Sequence, residues 1–126
     1  MNIVDSSGWL EYFADGPSAS FFARPLQETK DLLVPTITIY EVFKAVLRQR
    51  GESDALQSVA LMQQGSVVDL TSNISILAAR ISVEDRLPMA DSIILATSHV
   101  FGATIWTQDS DFEGIEGVRY VAKKNE

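Results

Sequence analysis

The sequence predicts an α/β domain of three layers, a central five-stranded, mainly parallel sheet with helices on both faces. Three observations predict it. Five short apolar runs recur, at residues 2–5, 32–34, 67–70, 103–106 and 118–121. The segments between them carry helical periodicity, and most are long enough for a parallel crossover. Hydrophobic residues make up 46% of the 126, enough to cover both faces of such a sheet within one domain, residues 1–126.

The elements follow in order. Asn2, Ile3, Val4 and Asp5 read as the first strand. Ser6 or Ser7 is expected to cap a helix carrying Trp9, Leu10, Tyr12 and Phe13, which Gly16 and Pro17 end. Ser18 opens a short helix through Phe21 and Phe22, and Pro25 is expected to stop it. Leu32, Leu33 and Val34 form the second strand. Thr38 and Glu41 then have the spacing of a capping box. Ile39, Val42, Phe43, Val46 and Leu47 follow at i, i+3, i+4, i+7 and i+8, an inward stripe that ends before Gly51. Ser53 is expected to cap the next helix, with Leu56, Val59, Ala60 and Gln63 on one side and Gly65 at its end. Val67 to Leu70 is the third strand. Ile74, Leu77, Ala78 and Ile81 mark a helix that must end before Pro88. Residues 89–101 are helical, with Ile93, Ile94, Thr97 and Val100 inward and Gly102 as the stop. Ala103 to Trp106 and Val118 to Val121 complete the sheet.

Composition narrows the chemistry. There is no cysteine, which excludes disulfides, thiolate metal sites and cysteine nucleophiles and suits a reducing cytosol. The first residues lack the basic start and long apolar run of a signal peptide. No apolar stretch approaches the roughly 20 residues of a membrane span. A cytoplasmic protein is expected. The formal charge of −7 is the wrong sign for holding nucleic acid by phosphate contacts alone, unless bound cations reverse it locally.

The acidic residues suggest where such cations sit. In open parallel sheets, ligands bind beyond the carboxyl ends of the strands, where the winding reverses. Asp5 ends the first strand. Glu41 and Asp91 are expected in the first turns of helices, and Asp109 and Asp111 follow the fourth strand. Each has an ordinary explanation as a cap, dipole or turn residue. Their convergence from four segments does not. Two carboxylates about 4 Å apart repel by roughly 4 kcal/mol at an effective dielectric near 20, so such a cluster calls for a cation. All-oxygen donors favour Mg²⁺ or Mn²⁺, ions that clamp a phosphodiester and activate water.

The ordered pattern Ile3-Val4-Asp5-Ser6-Ser7, Thr38-Ile39-Tyr40-Glu41-Val42, Ala90-Asp91-Ser92-Ile93-Ile94-Leu95-Ala96-Thr97 and Thr107-Gln108-Asp109-Ser110-Asp111-Phe112 resembles the PIN-domain family over essentially the whole chain. Within that family it is most similar to VapC-type toxins of toxin–antitoxin pairs. The resemblance implies a PIN fold and a Mg²⁺- or Mn²⁺-dependent endoribonuclease acting on RNA. It also implies a homodimer and a cognate antitoxin whose basic residues enter the acidic pocket. Position by position, it makes Asp5, Glu41, Asp91 and Asp109 catalytic, with Asp5, Asp91 and Asp109 as metal ligands. Glu41 and Asp111 are further candidate ligands, and Ser6, Thr107 and Asp111 support the site. Which of Asp109 and Asp111 comes nearer the metal stays open.

Other polar residues read as structural. His99 is expected on a helix surface, Lys44, Arg48 and Arg50 on a solvated face, and Arg86 in a surface ion pair; no motif claims Asp69. Two other functions compete. A phosphoacceptor receiver domain is also acidic, α/β and Mg²⁺-binding, but pairs acids near the first strand and places a lysine after the last. A non-catalytic PIN-like interaction module would have lost one of the acids, and none is lost.

Overall fold

The computed structural model describes residues 1–124. Its strands are β1 Asn2–Val4, β2 Leu32–Pro35, β3 Ser66–Val68, β4 Thr104–Thr107 and β5 Val118–Tyr120. Its helices are α1 Ser6–Phe13, α2 Ala19–Gln27, α3 Thr36–Arg50, α4 Glu52–Met62, α5 Ser72–Asp85 and α6 Met89–Phe101. The strands form one sheet in the order β3-β2-β1-β4-β5, and all four pairings are parallel. The chain winds outward from β1 through β2 to β3, then returns to place β4 on the other side of β1. The reversal therefore lies between β1 and β4, where parallel sheets open a crevice at their carboxyl ends.

Two cores sandwich the sheet. Alternation along β1 sends Ile3 to one and Val4 to the other, and both side chains are wholly buried. Ile3 meets Ile74, Ala78 and Ile81 of α5 and Ile93 to Ala96 of α6. Val4 meets Trp9, Phe22, Val42, Val46, Ala55 and Met62 from α1 to α4. Helix α6 is buried without a break from Ser92 to Ser98. It tolerates this because its hydroxyls bond back to its own carbonyls: Ser92 to Met89 at 2.7 Å, Thr97 to Ile93 at 2.8 Å and Ser98 to Leu95 at 2.7 Å. That packing fixes the first turn of α6, which carries Asp91. Among the described residues no helix is long and apolar enough to cross a membrane.

Several local expectations are corrected. The cap of α1 is Asp5, not Ser6 or Ser7: its carboxylate accepts from the Gly8 N–H at 3.1 Å. Helix α2 contains Pro25 and runs on to Gln27. Burial of Pro25 and Leu26 beside Phe22 offsets the one lost helical bond. No capping box forms in α3, which begins at Thr36 with Pro35 at its N-cap. Thr38 is fully buried and donates to the Pro35 carbonyl at 2.7 Å, so Glu41 lies in the second turn rather than the first. Ser53 does not cap α4; Gly51 does, at φ 93, a left-handed value that suits glycine. The inward face of α4 is Ala55, Ser58 and Met62; the small Ala55 and Ser58 let it pack closely on α3. Leu47, Leu56 and Val100, expected inward, are exposed. Strand β3 ends at Val68, which leaves Asp69 outside it and exposed.

Candidate metal centre

The β1–β4 reversal brings the acidic segments together, and each carboxylate has a structural reason for its place. Asp5 follows β1 and is 2% exposed. Its Oδ1 accepts from Ser7 Oγ at 2.7 Å and from the Gly8 N–H at 3.1 Å. Its Oδ2 accepts from Thr107 Oγ1 at 2.6 Å. Thr107 ends β4, and the same hydroxyl oxygen accepts the Asp109 N–H at 2.9 Å. One buried threonine thus orients the first acid and the backbone of the fourth. Asp109 in turn caps a single 3-10 turn at Ser110–Phe112, its Oδ1 accepting the Asp111 N–H at 2.9 Å. Phe112, wholly buried in the core beneath α5 and α6, anchors that turn.

Asp91, Asp109 and Asp111 each offer a carboxylate oxygen within 4.8 Å of the others. Asp5 and Glu41 are not in that compact trio but surround it electrostatically. Burial pushes the Asp5 carboxyl from 3.8 up to about 6, despite the hydrogen bonds from Thr107, Ser7 and Gly8 that oppose the rise; Asp109 adds to it. Burial and then Asp109, Asp111 and Asp5 lift Asp91 to about 7. That rise occurs although the first turn of a helix favours a carboxylate, so burial and repulsion outweigh the dipole. Glu41 is also raised, chiefly by burial and further by Asp109, while a hydrogen bond from Ser6 opposes the shift. Asp109 acts on all three raised acids, Asp111 only on Asp91. Asp91 and Asp109 are partly buried, with Asp111 at the solvent edge.

Two contributors were missed in the sequence. Ser7 holds Asp5 and receives the Gln108 N–H at 3.4 Å. Placing the cap one or two residues late hid it; with Asp5 as the cap, a hydroxyl two residues on lies within reach of the capping carboxylate. Gln108, buried between Thr107 and Asp109, donates from Nε2 to Glu11 Oε1 at 3.4 Å, and Glu11 also accepts the Ser18 N–H at 2.7 Å. Nothing in the local pattern marked that link. His99, Lys44, Arg48, Arg50 and Arg86 are all exposed.

Hard oxygen donors crowded at distances where they repel one another fit a hard divalent cation such as Mg²⁺ or Mn²⁺, and they do not fit zinc's preference for nitrogen and sulfur.

Comparisons with known proteins place this geometry. A toxin–antitoxin complex from Klebsiella pneumoniae superposes with a TM-score of 0.80 at 20% identity, covering 94% of this chain and 96% of the other. VapC20 from Mycobacterium tuberculosis, a toxin that cleaves the sarcin–ricin loop, gives 0.74 at 17% identity over 92% and 95% of the two chains. DNA-bound VapBC from Salmonella typhimurium gives 0.74 at 16% identity over 96% of each. No curated protein matches in sequence. The family model described as PIN domain matches residues 3–118, nearly all of the chain, and with the five-stranded parallel sheet it shows that the protein belongs to the PIN-domain family.

Proposed function

We propose that the protein is a Mg²⁺- or Mn²⁺-dependent endoribonuclease, the toxin of a toxin–antitoxin pair. The observation that carries the reading is the trio of Asp91, Asp109 and Asp111 beside buried Asp5, four carboxylates gathered at the crevice of a PIN fold, with the proton affinities of Asp5 and Asp91 raised.

Asp91, Asp109 and Asp111 would hold the cation, with Asp5 and Glu41 behind them. The bound ion supplies charge neutralisation at the phosphodiester and a water acidic enough to attack phosphorus. The protein's own groups do the rest. Thr107 and Ser7 hold Asp5 in one rotamer by donating to both its oxygens, so its charge is fixed in direction. The buried Phe112 keeps the Asp109 turn from moving as charge develops.

Water, not the ribose 2′-hydroxyl, is then the nucleophile. Cleaved RNA should carry linear phosphate ends, and a substrate with a 2′-O-methyl group at the cut site should still be hydrolysed. Products ending in 2′,3′-cyclic phosphate would refute this mechanism.

The antitoxin reading has its own support. A groove of about 260 Å³ between α1, α2 and α4 is lined by Trp9, Tyr12, Phe13, Leu26 and Leu61, and the buried Trp9 Nε1–H has no acceptor among the described residues. An apolar antitoxin segment would lie there, while its arginine or lysine enters the acidic pocket. A homodimer belongs to the same proposal. Tyr40 and Leu47 of α3, exposed beside Phe43, are surfaces a second chain would cover.

A further inference from the structure

A second polar pocket lies about 10 Å along the strands from the acids, since Asn2 begins the strand that Asp5 follows. It measures about 390 Å³ and is lined by Asn2, Arg24, Gln27, Glu28, Trp106 and Arg119, with Pro25 at its wall. The Trp106 Nε1–H donates to Asn2 Oδ1 at 2.8 Å, which locks the indole. The Arg119 guanidinium lies over that indole, 4.3 Å from the ring centroid. Arg119 stands on β5, an edge strand of the sheet, and both it and Arg24 are exposed. Neither is within 4.0 Å of a carboxylate among the described residues.

Each arginine has an ordinary role. Arg24 sits in the last turn of α2, where a cation complements the helix dipole. Arg119 covers one side of an indole that Phe21 of α2 also packs against, 5.1 Å between ring centroids. Neither role requires that the two cations face one pocket in a chain of charge −7. A guanidinium already stacked on an aromatic ring presents a flat, pre-ordered outer face, and such faces receive nucleobases while neighbouring cations receive phosphates.

We propose that this pocket is an exosite for the single-stranded RNA cut at the acid centre, with a base on the outer face of Arg119 and a phosphate between Arg119 and Arg24. The inference rests on the nuclease reading for its choice of ligand. It gives the acidic protein a place to hold RNA that does not depend on the metal. Glu28 is the one acid on the lining and opposes binding.

The test uses the full chain and two probes: a labelled single-stranded oligoribonucleotide long enough to reach both sites, and a dinucleotide that fills only the acid centre. Affinity for the long probe is measured by fluorescence anisotropy in EDTA, so that nothing is cut. The double variant Arg24→Gln, Arg119→Met keeps the hydrocarbon stems over α2 and the indole. It should bind the long RNA about tenfold more weakly. Its dependence of log affinity on log salt should fall by about 0.7 per lost phosphate contact. Glu28→Gln should bind more tightly. With Mn²⁺, the double variant should cleave the dinucleotide as wild type does.

Equal affinity of the double variant and wild type for the long RNA overturns the exosite, and so does an equal loss on the dinucleotide. Displacement of the long RNA by inorganic phosphate alone, in the concentration range of a small-anion site, also overturns it. RNA affinity that depends on the two arginines in a protein that cleaves nothing would overturn the nuclease reading and, with it, the exosite role, while leaving the pocket an RNA-binding site.

Discussion

Replacing Asp5 by asparagine removes a charge from the most buried acid of the site, and in the absence of divalent cations it should stabilise the protein. Raising a carboxyl from 3.8 to about 6 costs the ionised folded state about 3 kcal/mol. The amide avoids that cost but presents an N–H₂ where Thr107 Oγ1 now donates, a mismatch of about 1 kcal/mol. The net gain is about 2 kcal/mol. For 126 residues, at about 2.1 cal/mol/K of unfolding entropy per residue, it corresponds to about 8 °C in melting temperature. The sign depends on pH. A folded-state pKa above the unfolded one gives stability that is present below about 4 and lost as pH rises through about 6. Wild type should therefore weaken across that window and the variant should not. The assay is thermal unfolding of both proteins in EDTA from pH 4 to pH 8. The variant should melt higher at pH 8 and no higher at pH 4. A variant that melts lower at every pH would refute the picture of Asp5 as a buried, repelled carboxylate.

Other expectations follow from the same packing. Saturating Mn²⁺, at about 100 times its dissociation constant, should stabilise wild type by about 2.7 kcal/mol and Asp109→Asn by much less, read as melting temperature against metal concentration. Gly8→Ala should destabilise by about 2 kcal/mol or more in chemical denaturation, because a Cβ there would lie 2.5 Å from Val4 Cγ1 and 2.7 Å from the Phe22 ring. Arg86→Gly should stabilise by about 0.5–1 kcal/mol, since Arg86 holds φ 56 after α5, a conformation that glycine adopts freely.

Much of the architecture is legible in the sequence because it rests on burial. Ile3 and Val4, Leu32 to Val34, and Ile105 and Trp106 are apolar on both sides of the chain, and only a strand covered on both faces has that use for them. Helix α6 matches its expected range at both ends, with Pro88 and Gly102 as unambiguous stops. Helix starts were harder to read. The capping box at Thr38 and Glu41 and the cap at Ser53 are sequence patterns that tertiary packing overrides: Thr38 is drawn into the core, and Gly51 sets the direction of α4. The inward face of α4 was misread for a related reason. Close approach to α3 selects Ala55 and Ser58 over the larger Leu56, a choice that depends on a neighbour rather than on hydrophobicity. At the site, the acids could be listed, but their ranking could not. The turn at Asp109 is held by Thr107 and anchored by Phe112, and that geometry requires the fold.

Under the proposed function, the repelling carboxylates would also reconcile the charge of −7 with a phosphodiester substrate. On that proposal a site of this sign would exclude RNA until a cation enters, so binding at the acids and activation would be one event. An acidic pocket open to solvent is in turn the feature a basic antitoxin residue would recognise, and such an association should weaken as salt rises.

The central claim is that these acids hold a cation that hydrolyses RNA, and cleavage of a labelled single-stranded RNA tests it most directly. The reaction is followed with Mn²⁺ or Mg²⁺, with EDTA, and with Asp91→Asn in either ion. Cleavage by wild type that requires the metal, and its loss in an Asp91→Asn protein whose circular dichroism and melting are those of a folded domain, is the expected result. Cleavage that persists in EDTA, or that survives in Asp91→Asn at the wild-type rate, would contradict it.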